Sequence, residues 1–243
     1  MANSDLQELS PNGTLRGGIV TAPAASAFFA INDAGVLKGV TVDLMQALAA
    51  ELKMPLDLMV FPNSGEVTDA VALGSCDVAF MPQDAERAKK VDFGPTYLFI
   101  ESSFLVAAGS KLRHLSEANY PGVRAVAIAG TTTGRSARKF LTQGTVEDVR
   151  GVDDMVAKVQ TGGGDLFALS RDAFATLMPR LPGARVLEGN FQEVGVAIAV
   201  PKQRPRALKV VSSFLERAKQ SGTVRRALDA AGYRKLEVAP TAI

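Results

Sequence analysis

One cysteine, Cys76, and one histidine, His114, are all that the 243 residues offer to thiolate or imidazole chemistry. A lone cysteine excludes an intramolecular disulfide, and a single histidine leaves a thiolate metal site without partners. Ser-His-Asp or Cys-His catalysis would have to use His114. That residue lies in a basic, polar stretch beside Lys111 and Arg113, with no G-x-S-x-G turn nearby, and reads as a surface-loop side chain. No metal and no cofactor are expected. Long apolar runs are missing as well, since nothing approaches the roughly 18 residues of a membrane span. Charge of one sign does not dominate: 27 Lys and Arg against 25 Asp and Glu leave +2. Without a clustered basic run, a nucleic-acid partner held through its phosphates is not expected. Met1 to Ser10 is polar and has no apolar segment of the signal-peptide kind. The expectation is a cytoplasmic protein, or an exported one without its leader behind a new Met.

What remains is an ordinary globular composition, 47% hydrophobic and 21% charged, with length for one large domain or two small ones. Leu15 to Val20 reads as a strand, Val40 to Lys53 as a helix with apolar positions at Leu44, Ala47, Leu48 and Leu52, and Leu56 to Phe61 as the next strand. Gly65 to Leu73 (helix) and Asp77 to Met81 (strand) complete β-α-β-α-β, the alternation of parallel strands covered by helices. Tyr97 to Ala108 is longer than a typical strand and predicts a crossing into a second lobe. There the pattern restarts: Val123 to Ala129, Thr132 to Leu141, Val152 to Gln160, Leu166 to Ser170, Asp172 to Arg180. Val194 to Val200 is a second crossing, and the helices Pro205 to Gln220 and Val224 to Ala231 close the chain. The fold class is α/β, two lobes joined by two crossing strands. The expected division is 14–105 for the first lobe, 106–198 for the second, and 199–243 returning to the first.

The segment Gly74-Ser75-Cys76-Asp77, followed by Glu86-Arg87-Ala88-Lys89-Lys90-Val91-Asp92-Phe93, resembles a motif of the amino-acid-type (family 3) extracellular solute-binding proteins of ABC importers. Gly39-Val40-Thr41-Val42-Asp43-Leu44, Val126-Ala127-Ile128-Ala129-Gly130-Thr131-Thr132 and Ser221-Gly222-Thr223 are similar to further motifs of that family, in the same order, from about Leu15 to Tyr233. The resemblance implies a type 2 periplasmic-binding-protein clamshell that holds its ligand between the lobes and docks on ABC permease membrane subunits. It also implies a periplasmic monomer whose signal peptide has been removed. Its small-molecule partner would be a carboxylate or an amino-acid-like solute.

By the same resemblance, Arg87 forks onto the ligand carboxylate, which suits a planar guanidinium with paired donors; on residues alone it could be a solvated arginine among Lys89 and Lys90. Gly130 to Gly134 precedes a helix, so Thr131, Thr132 and Thr133 can supply donors at a helix N-terminus, or simply cap it. Phe61 and Ser64 sit at a strand-to-helix turn, where α/β sheets place ligands, with capping by Asn63 or Ser64 as the plainer role. Thr21-Ala22-Pro23 and Phe28-Phe29 form the facing loop, and Phe28 either covers the ligand's apolar part or packs in the core.

Departures from the family are informative. The loop between Asp77 and Arg87 is about two residues shorter than in many relatives, and Met81, Pro82 and Gln83 stand where hydroxyls are usual; Met81 and Gln83 are therefore candidate ligand contacts. Five residues beyond Asp165, where the family often carries an aspartate for the ligand's ammonium, stands Ser170, followed by Arg171; Asp172 fills the role only if the register slips. A buried ammonium without a carboxylate is costly, so a plain carboxylate or dicarboxylate gains ground. The expected function is solute binding for an ABC importer rather than catalysis. The alternative is an enzyme on the same fold, a lyase of the cyclohexadienyl-dehydratase kind using Glu101 or Asp84 as acid or base. A sensor or effector module is a third class, but the chain has no helix-turn-helix pattern.

Overall fold

The computed structural model describes residues 3–22 and 26–241. In chain order it contains α1 (Asn3–Leu9), β1 (Leu15–Val20), β2 (Ile31–Asp33), β3 (Val36–Lys38), α2 (Val40–Leu52), β4 (Leu56–Phe61), α3 (Ser64–Ala72), β5 (Val78–Pro82), α4 (Ala85–Ala88) and the long β6 (Val91–Val106). Then follow β7 (Arg124–Ile128), α5 (Thr132–Phe140), β8 (Thr145–Val149), α6 (Val152–Thr161), β9 (Leu166–Ser170), α7 (Arg171–Leu177), β10 (Arg185–Val186), β11 (Gln192–Pro201), α8 (Pro205–Gln220) and α9 (Thr223–Ala230).

Among the described residues, nine strands join one sheet in the order β4-β1-β5-β11-β6-β9-β7-β8, with β10 also paired to β6. β1 lies parallel to β4 and β5, and β7 lies parallel to β8 and β9. The first is the β-α-β-α-β unit expected from the alternation of apolar runs and helical patterns; in the second, β8 stands between two helices where no strand was expected. Between them β6 and β11 run antiparallel. Ser102 is the junction, since it pairs with Gln192 of β11 and with Ser170 of β9. One sixteen-residue strand thus pairs on both sides of that junction, with β11 and with β9.

Alternation along the strands fills both faces of the second lobe. Ala125, Ala127, Leu166 and Ala168 pack with Phe104 and Leu141, whereas Val126, Ile128, Phe167 and Leu169 face the other way, toward Val152, Met155 and Phe174. That second set is continuous with the core of the first lobe, so the lobes meet in a closed arrangement.

The sequence expectation places the crossings at 105/106 and 198/199. Phe104 and Leu105 are already paired with β9, while Val196 to Ala199 pair with β5 of the first lobe. Ser102, paired with both Gln192 and Ser170, is where β6 has a partner on each side. β6 also begins at Val91 rather than Tyr97. Gly94 and Pro95 read as breakers, but the ladder skips them through irregularities between Val196 and Ala199, the kind of bulge at which proline is tolerated.

The polar start of the chain forms α1, which buries Leu9 and places Glu8 Oε1 to accept the N–H groups of Arg206 (2.7 Å) and Ala207 (3.2 Å). A carboxylate from the far end of the sequence thus caps α8, which lacks a side-chain cap from its own Arg204. Met1, Ala2 and Pro23 lie outside the described residues.

Asp77, fully buried, accepts from Arg16 through the backbone N–H (2.9 Å), Nε (3.0 Å) and Nη2 (2.5 Å), tying β1 to the start of β5. Removing one partner of a buried pair costs about 3–5 kcal/mol. Arg16 keeps a quarter of its side chain exposed, so Asp77→Ala is expected at the low end, about 3 kcal/mol. At about 2–4 °C per kcal/mol for a chain of this size, calorimetry should show the melting temperature falling by roughly 6–12 °C; an unchanged transition would contradict this reading of Asp77.

Candidate functional site

Three chain segments meet at the seam between the lobes: the C-terminal end of β5 with α4, the turn from β4 into α3, and the turn from β7 into α5. Asn63 caps α3 by accepting the Glu66 N–H at 2.9 Å, and Asp84 caps α4 by accepting the Arg87 N–H at 2.9 Å. Across the seam, a Cβ added at Gly65 would stand 3.0 Å from the Gly130 Cα and 3.2 Å from its carbonyl oxygen. Gly130 also has φ +67, a conformation that glycine adopts without strain. Two glycines allow the backbones of the two lobes to touch.

Arg87 is 2% exposed. Nη1 donates to Pro82 O at 2.5 Å, and Nη2 donates to Ser64 Oγ at 2.6 Å and to Gly130 O at 3.1 Å. Nε is buried without a partner among the described residues. No described carboxylate lies within ion-pairing distance of the guanidinium. Burial, followed by repulsion from Arg135, pushes its pKa down to about 9. It stays protonated at neutral pH, as a buried cation held by three neutral oxygens. Asp84 has its counter-ion in Arg135, whose Nε donates at 2.6 Å. Burial pushes the Asp84 carboxyl up, but the Arg87 N–H and Arg135 outweigh it and hold the group below its ordinary 3.8. The stability this contributes is present above about pH 4 and is lost as pH falls through the lowered value.

On the far side of Ser64 and Pro82 lies a small cavity of about 30 Å³, enough for roughly one water. Thr131, Thr132, Thr133, Ser64 and Ser170 bring hydroxyl-bearing residues to its wall; Phe28, Phe29, Ile100 and Ile128 bring apolar surface. Thr131 Oγ1 is committed, donating to Ile128 O at 2.7 Å and accepting the Gly134 N–H at 3.0 Å. Thr133 shares a 3.2 Å hydrogen bond with Ser102. The Thr132 and Ser170 hydroxyls have no hydrogen-bond partner among the described residues. The Phe28 and Phe29 rings lie 5.2 Å apart. No described acidic residue lines this cavity.

Of the residues singled out in the sequence, Phe28, Ser64, Thr131, Thr132, Thr133 and Ser170 thus surround one space; Arg87 is bonded to Ser64 and Pro82 but lines a separate cavity of about 280 Å³, with Asp69, Glu86, Gly130 and Arg135. Three others stand elsewhere. Met81 is buried against α3, its sulfur accepting from Thr68 Oγ1 at 3.2 Å. Gln83 turns to Thr96 Oγ1 at 3.1 Å. Phe61 lines an outer groove with Pro62 and Arg150 to Asp154. Alternation in β5 explains the first: Pro82 and Met81 point to opposite faces. Asp172 also stands off the cavity, since Oδ2 accepts the Ala27 N–H at 2.8 Å while Oδ1 is buried unpaired. Glu101 is half exposed and lies 3.8 Å from Arg171. Pro82, Gly130 and Arg135 were not singled out as contacts; only the glycine, ahead of three threonines, carried a signal for a special turn.

Residues 19–230 match the family model described as bacterial extracellular solute-binding proteins, family 3. The Bacillus subtilis (strain 168) ABC transporter glutamine-binding protein GlnH is 22% identical over 192 residues, covering 77% of this chain and 70% of that protein. The fold superposes on a mutant of ArgBP from T. maritima with a TM-score of 0.81 at 21% identity, covering 94% of this chain and 99% of that one. It also superposes on the ancestral amino acid-binding protein AncCDT-1, a precursor of cyclohexadienyl dehydratase, with a TM-score of 0.78 at 25% identity, over 93% and 98% of the two chains. The fold is that of type 2 periplasmic binding proteins.

The Gly65 to Gly130 contact makes closure sensitive to one side chain. Gly65 is in the first turn of α3 with no positive φ, and besides the two seam contacts an added Cβ would meet the capping Asn63 Oδ1 at 3.1 Å. Gly65→Val should leave far-UV circular dichroism unchanged and raise the radius of gyration in X-ray scattering. A radius equal to that of the unsubstituted protein would contradict the closed seam.

Proposed function

The chain belongs to the bacterial extracellular solute-binding proteins of family 3, and from that premise we propose that it captures a small carboxylate or amino-acid-like solute between its lobes and delivers it to the membrane permease of an ABC importer. The observation that carries this is Arg87: a guanidinium buried at the junction of the lobes, with three neutral oxygens about it and, among the described residues, no carboxylate bonded to it. An unpaired buried charge is costly, and an anionic group entering beside Arg87 supplies the missing partner. The Thr132 and Ser170 hydroxyls are further donors, and Phe28 with Phe29 offers apolar cover.

The protein is a periplasmic monomer in this reading, and the name of its Bacillus relative, an ABC transporter glutamine-binding protein, supports the importer. Among the described residues no acidic side chain lines the small cavity, where Ser170 offers a hydroxyl but no charge, and this favours solutes without an α-ammonium there. The small cavity gives little support to a lyase, since Asp84 is engaged by Arg135 and Glu101 lines a different cavity, of about 430 Å³, with Arg171, Asp172 and Glu193. A cavity of about 30 Å³ is too small for either kind of solute, so the lobes separate to admit one.

Thermal-shift titrations of matched pairs test this: L-glutamate with 2-oxoglutarate, L-leucine with 4-methyl-2-oxopentanoate, L-alanine with pyruvate. The 2-oxo acid of at least one pair should stabilise the protein as much as its amino acid or more, by about 2.7 kcal/mol at a hundredfold excess over Kd. A response to L-amino acids with none to their 2-oxo acids would return the site to ammonium recognition, with Asp172 as the candidate partner. Arg87→Ala should weaken the best binder by about 2–5 kcal/mol, roughly 30-fold to several thousand-fold by calorimetry; a loss below about threefold would remove Arg87 from the site.

A further inference from the structure

Asp84 faces two ways. Oδ1 accepts the Arg87 N–H that begins the α4 turn, and Oδ2 accepts Arg135 Nε from the opposite lobe at 2.6 Å. Arg135 Nη1 also donates to Gly130 O at 3.1 Å, the same carbonyl that Arg87 Nη2 reaches at 3.1 Å. Two guanidiniums, one from each lobe, therefore share a carbonyl, and among the described residues the carboxylate bonded to this group is that of Asp84. The Arg135 and Asp84 side chains are 28% and 24% exposed, so solvent screens them less than an ordinary surface pair. Without Asp84, the like charges of Arg87 and Arg135 would oppose closure.

We propose that Asp84 and Arg135 are positioning residues for solute capture, their ion pair latching the second lobe onto the turn that carries Arg87. Closing the lobes and fixing the guanidinium then become one event. A solute anion need displace only the Gly130 carbonyl from Arg87, leaving the latch in place. This rests on the anion-capture reading above, but the latch consists of protein groups alone and can be tested with no solute present.

The measurement is pulsed electron-electron distance spectroscopy on full-length protein stripped of solute by unfolding and refolding. Nitroxides are placed on Gln46→Cys in α2 and Lys139→Cys in α5, both exposed positions in opposite lobes. Cys76 is buried, and burial pushes its thiol up to about 11, so it remains unlabelled. The labelled parent should contain a closed, short-distance population. Arg135→Ala should lower the closed-to-open ratio about 5- to 30-fold, and Arg135→Lys should recover most of it. Asp84→Asn, which keeps an oxygen for the Arg87 N–H while losing the charge, should open the lobes in the same way and serves if Arg135→Ala folds poorly. A parent without a closed population overturns the latch. So does a ratio that changes less than about twofold in both charge-removing variants, or an Arg135→Lys protein as open as Arg135→Ala. Variants that open as expected in a protein whose Arg87→Ala form still binds 2-oxo acids would leave the latch standing and reject only the anchor.

Discussion

A buried guanidinium that, among the described residues, touches no carboxylate is the constraint around which the seam is built. Arg87 gives up hydration at the meeting point of the two lobes and receives only three neutral acceptors, one from β5, one from α3 and one from the second lobe. Each acceptor fixes a piece of backbone. Pro82 O ends β5, Ser64 starts α3 under its Asn63 cap, and Gly130 O requires a glycine turn close enough to meet Gly65. The lowered pKa of about 9 expresses the same imbalance, and an anion placed beside the guanidinium would reverse it.

The sheet makes that imbalance useful. β6 and β11 run between the two parallel units as paired strands, so in the proposed function the lobes keep their internal ladders while the angle between them changes. The closed form is held by a few polar contacts besides the Arg87 to Gly130 bond: Asn63 Nδ2 to Arg150 O at 3.0 Å, Asp84 with Arg135, and Asp172 with the Ala27 N–H. Individually such contacts are worth about 1–3 kcal/mol. A sum of this size suits a clamshell that must both close on a solute and release it.

Much of this was legible in the sequence wherever the signal is local. Leu15–Val20, Leu56–Phe61, Leu166–Ser170 and Pro205–Gln220 have the same bounds in structure and sequence reading, because apolar periodicity and Gly or Pro punctuation mark them directly. Thr145–Val149 was missed because it is an edge strand with exposed Glu147 and Asp148 and little apolar content. Within the site, hydroxyl-rich turns at helix starts identified Ser64 and the threonines, and the resemblance of Glu86 to Phe93 singled out Arg87. Met81 and Gln83 came from their place in the family motif and Phe61 from its strand-to-helix turn; none of the three lines the small cavity, because side-chain direction is not written in sequence position. The Asp84 to Arg135 pair spans 51 positions, and the Glu8 cap on α8 spans 198; contacts of that kind exist only once the lobes are assembled.

The most direct test of the central claim is the chemistry of whatever solute the protein retains from its host. Native mass spectrometry of gently purified protein, followed by denaturation and negative-ion analysis of the released molecule, reads that chemistry without a prior choice of ligand. Arg87, buried and touching no carboxylate among the described residues, predicts a compound bearing a carboxylate or an equivalent anionic group, lost from the Arg87→Ala protein. A retained cation or neutral sugar with no anionic group, held equally by both proteins, would contradict it.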